Sequence, residues 1–146
     1  MQYRLEVFVL PVSDVDRAKA FYEQLGFHCD VDHQASPEFR VVQFTPPGSG
    51  CSVTFGVGMP VKAKPGDYHG IHLAVDDVVL AVADLRSRGV DVTDPFHFGP
   101  NGQTPGVHPG SPRPDFGTYA QFADPDGNVW LLQEVPSRAG KAWGLS

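Results

Sequence analysis

The chain repeats itself, and the repeat limits its architecture more than any local motif does. Val12-Ser13-Asp14 opens a stretch of helical spacing that closes at Gly26, and Val75-Asp76-Asp77 opens another that closes at Gly89. One offset of 63 residues carries Val12 onto Val75, Asp14 onto Asp77, Ala18 onto Ala81, Ala20 onto Ala83 and Gly26 onto Gly89. Each half ends in a strand-like run, a Pro/Gly turn and another strand-like run. Two copies of such a unit predict a pseudo-twofold axis, with a ligand cleft between or along curved sheets.

Residues 3–10 are rich in β-branched and aromatic side chains and predict a strand that ends at Pro11. Ser13 or Asp14 caps the next helix, Asp16 lies in its first turn, and Val15, Ala18, Tyr22 and Leu25 form the apolar stripe. Gly26 supplies the left-handed stop. Strands are predicted near 27–33, 39–44 and 51–57, so residues 1–57 read as a first βαβββ module and 58–69 as a linker. The second module, 70–135, reads as a strand at 70–75, a helix capped by Asp76 or Asp77, and a strand at 90–94. A long Gly-, Pro- and His-rich loop follows at 95–117. Strands at 118–123 and 129–134 then flank the Asp124-Pro125-Asp126-Gly127-Asn128 turn. The tail, 136–146, is polar except for Trp143 and Leu145.

At 146 residues and 41% apolar, the chain can build a real core as one compact domain of two modules. It has no run of about 18 apolar residues, so no membrane span is expected. Its first residues lack the basic head and apolar run of a signal peptide, so a cytoplasmic location is expected. The formal net charge is −6 with no Lys/Arg cluster, which argues against a nucleic-acid partner. Cys29 and Cys51 lie in strand-like runs and read as inert buried thiols. No Ser-His-Asp or Cys-His constellation is visible, and the Gly-x-Gly fragments lie in turns outside any strand-then-helix context.

The segment Leu10-Pro11-Val12-Ser13-Asp14-Val15-Asp16-Arg17-Ala18-Lys19-Ala20-Phe21-Tyr22, with Leu25-Gly26-Phe27, resembles the first-module signature of the vicinal oxygen chelate superfamily. That group holds glyoxalases, bleomycin-resistance proteins and ring-cleaving dioxygenases. Phe122 to Glu134 resembles its closing hairpin. The resemblance implies an α+β fold of tandem βαβββ modules whose mixed sheets curve into an open barrel, with helices on the convex side and a ligand or metal on the concave side. It also implies metal-ligand positions. The first-strand ligand stands five residues before the Val of the Val-x-Asp motif, which here is Val7 and Gly70. The last-strand ligand stands seven residues after the first Asp of Asp-Pro-Asp-Gly, which here is Leu131, with its first-module counterpart near Thr54. Val, Gly and Leu offer no donor atom, whereas a protein-held transition metal needs about three His, Cys or carboxylate ligands. No metal and no cofactor are therefore expected.

Strand alternation assigns the remaining side chains to faces. With Val7, Gly70 and Leu131 facing the cleft, Val9, His72, Ala74 and Gln133 face it too, while Phe8, Leu10, Ile71, Leu73 and Val75 pack against helices. The candidate ligand-binding set is Val7, Val9, Thr54, His72, Leu131, Gln133, Phe98 and Tyr119, with His72 the candidate catalytic base. Glu6, His69 and Glu134 lie on the other parity and read as solvated strand ends. Phe96, Phe98, Phe116 and Tyr119 frame the long loop, where His97 and His108 are candidates for a non-standard metal site with His72. Arg113 reads as an exposed loop residue able to meet a carboxylate. The leading expectation is a metal-free binding protein for an organic small molecule such as an antibiotic, acting as a homodimer; Trp143 reads either as docking on the partner or as a disordered tail residue. The alternative is a glyoxalase- or dioxygenase-type enzyme using His72 or a rearranged metal site.

Overall fold

A computed structural model describes residues 1–141 of the chain, so either reading of Trp143 lies outside the described residues. The two helices start and stop as their end residues dictate. Asp14 is extended (φ −138°) and its carboxylate accepts from Arg17 N at the start of α1 (Val15–Gln24). Asp77 is extended (φ −144°) and its carboxylate accepts from Leu80 N at the start of α2 (Val78–Ser87). Each cap satisfies a main-chain donor that a helix start leaves orphaned. Gly26 (φ 86°) and Gly89 (φ 81°) then turn the chain through left-handed conformations that a side chain would disfavour. The chain divides into two compact units, the first being residues 1–68 with 124–128.

In the first unit, β1 (Val7–Val9), β2 (His28–Ser36), β3 (Phe39–Thr45) and β4 (Ser52–Val57) form a mixed sheet in the order β1-β4-β3-β2, with β1 parallel to β4. One face buries Leu10, Val42, Phe44, Val53 and Phe55 with Ala18, Tyr22 and Leu25 of the α1 region. The Tyr22 ring lies 6.1 Å from Phe44 and 5.7 Å from Phe55, centroid to centroid. Each such large side chain contributes about 1.5–3 kcal/mol of apolar burial. The strand expected over 3–10 is shorter, because its partner β4 starts only at Ser52, which pairs with Val7. Tyr3 and Leu5 are left exposed.

The turn at 124–128 is built into this first unit. Asn128 is fully buried. Its Nδ2 donates to Pro11 O (2.9 Å) and to Asp124 Oδ2 (2.9 Å), and its Oδ1 accepts from Gly66 N (3.0 Å) and Tyr68 N (3.2 Å). Asp124 also accepts from the Tyr22 hydroxyl (2.9 Å). Asp126 accepts from Ser13 and from Arg17 (3.1 Å).

On the helix side of the same sheet, Arg40 donates to Asp32 at 2.9–3.0 Å and to Asp16 at 2.8 Å, and Lys19 donates to Asp32 at 2.8 Å. Hydrogen bonds from Arg40, then from Lys19, hold the Asp32 carboxyl well below the usual carboxylate range. A carboxylate depressed by folding stabilises fully above its unfolded value, about pH 3.9, and loses that contribution as pH falls toward its folded value. Asp32→Asn is therefore expected to cost about 1 kcal/mol at neutral pH, the worth of a solvent-screened ion network. Urea unfolding of both proteins should show the difference shrinking steadily below pH ~4.

In the second unit, β5 (Ile71–Val75), β6 (Phe96–Gly99), β7 (Gly102–Pro105), β8 (Thr118–Ala123) and β9 (Val129–Glu134) form a mixed sheet in the order β5-β9-β8-β6-β7, with β5 parallel to β9. Ala120, Phe122, Trp130 and Leu132 are buried on the face that carries α2 residues Val78, Val82 and Leu85. The order matches that of the first unit, with β7 added at one edge.

The expectations for 90–117 need correction. Residues 90–94 form no strand beyond a single bridge, Val92 to Phe122. Val90 and Val92 are buried, and Thr93 exchanges hydrogen bonds with Gln121. Pro95 brings no N–H to a ladder, so regular pairing resumes only at Phe96. The expected loop of 95–117 begins as a hairpin, β6–β7, turning at Gly99-Pro100-Asn101-Gly102 with Gly102 at φ 97°.

Candidate functional site

The face of the second sheet away from α2 carries the candidate residues. Register aligns His72 with Leu131 and Leu131 with Gln121 in one row. It aligns Ala74 with Gln133, Gln133 with Tyr119 and Tyr119 with Phe96 in the next. Phe98, two residues along β6, shares this face. His72 and Phe98 are exposed, while Leu131, Gln133 and Tyr119 are half-buried. The rings form one cluster around Tyr119, which lies 6.0 Å from Phe96 (stacked), 5.4 Å from Phe98 (edge-on) and 6.4 Å from His72 (edge-on). His72 Nδ1 lies 2.8 Å from Gly70 O, Gln133 Nε2 donates to the Tyr119 hydroxyl (3.2 Å), and that hydroxyl donates to Phe116 O (3.0 Å). Apolar walls with a few directed polar groups suit an organic ligand.

In the first unit the corresponding face holds Val7, Val9 and Thr54. Val9 pairs with Thr54 as His72 pairs with Leu131, so the repeat and the ladders agree on which residues correspond. Val7 is exposed and Val9 half-buried, whereas Thr54 is buried and spends its hydroxyl proton on Val42 O (3.0 Å). A bulge between Cys29 and Val31 turns Asp30 toward this face, where it accepts from Thr45 and from Gln43 (3.3 Å). Nothing in the sequence pattern marked Asp30, because a bulge breaks the alternation by which faces are read.

Two other expectations are corrected by the second unit. Glu134 is not a solvated strand end: it is fully buried. Its Oε1 and Oε2 accept from Arg113 Nε (2.8 Å) and Nη2 (2.9 Å), and Oε2 also accepts from Val78 N (2.8 Å) at the start of α2. Arg113 is therefore not a free loop residue. It lies 3.6 Å from Asp77 as well, and its guanidinium is pushed above the ordinary arginine range chiefly by the Glu134 hydrogen bonds. The pair staples the loop to α2, and Phe116 N donates to Glu134 O (2.9 Å) beside it. His97 and His108 adjoin, with ring centroids 5.9 Å apart. His97 pairs with Thr118 on the helix-side face, opposite His72, so the three histidines do not converge. Glu6 and His69 are exposed.

The positions where the resemblance implies metal ligands are Val7, Thr54, Gly70 and Leu131, and their chemistry does not fit a protein-held transition metal. Among the described residues no group of three or more His, Cys, Asp or Glu is placed to hold a metal ion. Cys29 and Cys51 are half-buried, and burial pushes both thiols up, which keeps them protonated and poorly nucleophilic. Among the described residues no helix is long and apolar enough to cross a membrane.

Two repeated strand–helix–strand units, each with an open mixed sheet covered on one face by its helix, define the tandem-module α+β class. Residues 4–132 match the Glyoxalase/Bleomycin resistance protein/Dioxygenase superfamily, and the chain belongs to that superfamily. Among solved structures it is similar to TnmS3, an antibiotic binding protein from Streptomyces sp. CB03234. The identity is 35% and the TM-score 0.68, over 92% of this chain and 97% of that one. A glyoxalase/bleomycin resistance protein from the same Streptomyces is 36% identical with a TM-score of 0.65, over 90% of this chain and 100% of that one. YetH, an uncharacterized protein of Bacillus subtilis (strain 168), is 27% identical over 84% of this chain and 91% of its own length.

Proposed function

We propose that the chain binds an organic small molecule of the antibiotic type, without a metal, on the open face of the second sheet, and that it does so as a homodimer. The observation that carries this reading is the ring cluster of Phe96, Phe98, Tyr119 and His72 beside Gln133 and Leu131, on the face where Leu131 stands at a position that a metal-dependent relative would fill with a donor. Phe98 is exposed and Tyr119 half-buried, with the buried Phe96 ring behind them, so the cluster offers an exposed aromatic edge of the kind that serves as an interaction site. The 35% identity to an antibiotic binding protein supports the same reading. Val7, Val9 and Thr54 take the equivalent role in the first unit. The exposed Tyr3 and Leu5 support pairing between copies of the chain.

The test uses the chelator-treated 146-residue chain, whose mass by light scattering is expected to be twice 15.8 kDa. Anilinonaphthalenesulfonate fluorescence should rise on binding with or without chelator, and Phe98→Ala should weaken that binding about tenfold, as loss of a large aromatic contact does. A stoichiometric transition metal whose removal abolishes binding would overturn the reading.

A further inference from the structure

Three hydrogen bonds fix which way the polar groups of the second sheet's open face point. A main-chain carbonyl can only accept. Gly70 O lies 2.8 Å from His72 Nδ1, so in the neutral ring Nδ1 carries the proton and the lone pair resides on Nε2. Phe116 O lies 3.0 Å from the Tyr119 hydroxyl, so Tyr119 donates there, and its oxygen is left to accept at 3.2 Å from Gln133. The Gln133 carboxamide is thereby locked with its nitrogen on Tyr119 and its Oε1 released from that contact. His72 Nε2 and Gln133 Oε1 thus offer lone pairs, while Gln133 Nε2, bound to Tyr119 through one hydrogen, keeps its second N–H. Gln121, beside Leu131 on the same face, has no side-chain partner among the described residues and can turn either end to a ligand.

We infer that this face selects planar aromatic ligands bearing hydrogen-bond donors, such as phenolic hydroxyls or aryl amines, over ligands of the same shape bearing only acceptors. His72 Nε2 and Gln133 Oε1 are the specificity-determining acceptors, and the rings of Phe98 and Tyr119 supply the apolar contact. The inference rests on the binding reading above and adds the polarity of the ligand. An acceptor-only ligand sets lone pair against lone pair and leaves both protein groups unpaired where water has been displaced, the arrangement by which sites built for a hydroxyl reject its analogues.

The test is titration of the 146-residue chain with a naphthalenediol and with its dimethyl ether, followed by NMR shifts of the Tyr119 and Phe98 rings. The diol is expected to bind at least about tenfold more tightly than the ether, the discrimination of one or two hydrogen bonds. Gln133→Leu and His72→Phe should each bring that ratio below about threefold by raising the Kd of the diol alone. Gln133→Glu keeps an acceptor and should keep the preference, which a loss of folding would not. Equal or tighter binding of the ether overturns the inference and leaves the binding reading intact, since the ether then occupies the face. Shifts at Tyr119 and Phe98 with neither probe overturn both.

Discussion

Asn128→Ala is expected to destabilise the protein by about 3–5 kcal/mol, since each buried polar partner left without its bond costs about 1–3 kcal/mol. The substitution removes the donor to Pro11 O and Asp124 Oδ2 and the acceptor of Gly66 N and Tyr68 N in a site with no water-accessible surface. Asn128→Asp, although isosteric, is expected to do no better at neutral pH. Its second oxygen would face Pro11 O and the Asp124 carboxylate, acceptor against acceptors, in the low-dielectric surroundings where such clashes are strongest. Urea unfolding followed by far-UV circular dichroism measures both, and a loss below about 1 kcal/mol for either would show that the clasp contributes no more than an ordinary hydrogen bond.

Arg113→Ala is expected to cost about 3–5 kcal/mol, because it strands the fully buried Glu134 carboxylate with the Val78 main-chain N–H as its remaining hydrogen-bond donor among the described residues. The pair itself is worth less than this, since both charges lost hydration on folding. The double variant Arg113→Ala/Glu134→Gln, which removes the stranded charge and keeps an acceptor for Val78 N, is therefore expected to recover most of the loss. A double-mutant cycle from thermal and urea unfolding checks this. Additive effects in that cycle would show that the loop is held by something other than the ion pair. The loss is also expected to reach the open face, because Phe116, whose carbonyl fixes Tyr119, donates its own N–H to Glu134 O in the stapled segment.

Where periodicity and end chemistry act locally, the sequence was a sufficient guide. Asp14 and Asp77 cap because a short carboxylate on extended backbone reaches the third amide ahead, and the alternation in Ile71–Val75 and Val129–Glu134 assigns His72, Leu131 and Gln133 to one face with no tertiary information. In the sequence Phe98 and Tyr119 frame the long loop; the β6 and β8 registers that bring them onto the same face do not follow from alternation. Three further features were not legible there. The strand at β1 is limited by where its partner begins, a property of Ser52 and not of residues 3–6. Asn101-Gly102 did carry a hairpin signal, but it was obscured by the surrounding glycines and prolines. The burial of Glu134 depends on an arginine 21 positions earlier and on a helix start 56 positions earlier, and neither is visible in the local pattern.

The clasp at Asn128 also sets a schedule for biosynthesis. Tyr22 and Pro11 receive their partners from residues 102 and 117 positions further along the chain. At about 5–20 residues per second of translation, the N-terminal half waits roughly 5–25 s, unsatisfied at both points, for the turn that completes it. Order of manufacture and order of completion are thus opposed, and a nascent chain halted before residue 124 presents an unfinished half to chaperones and proteases.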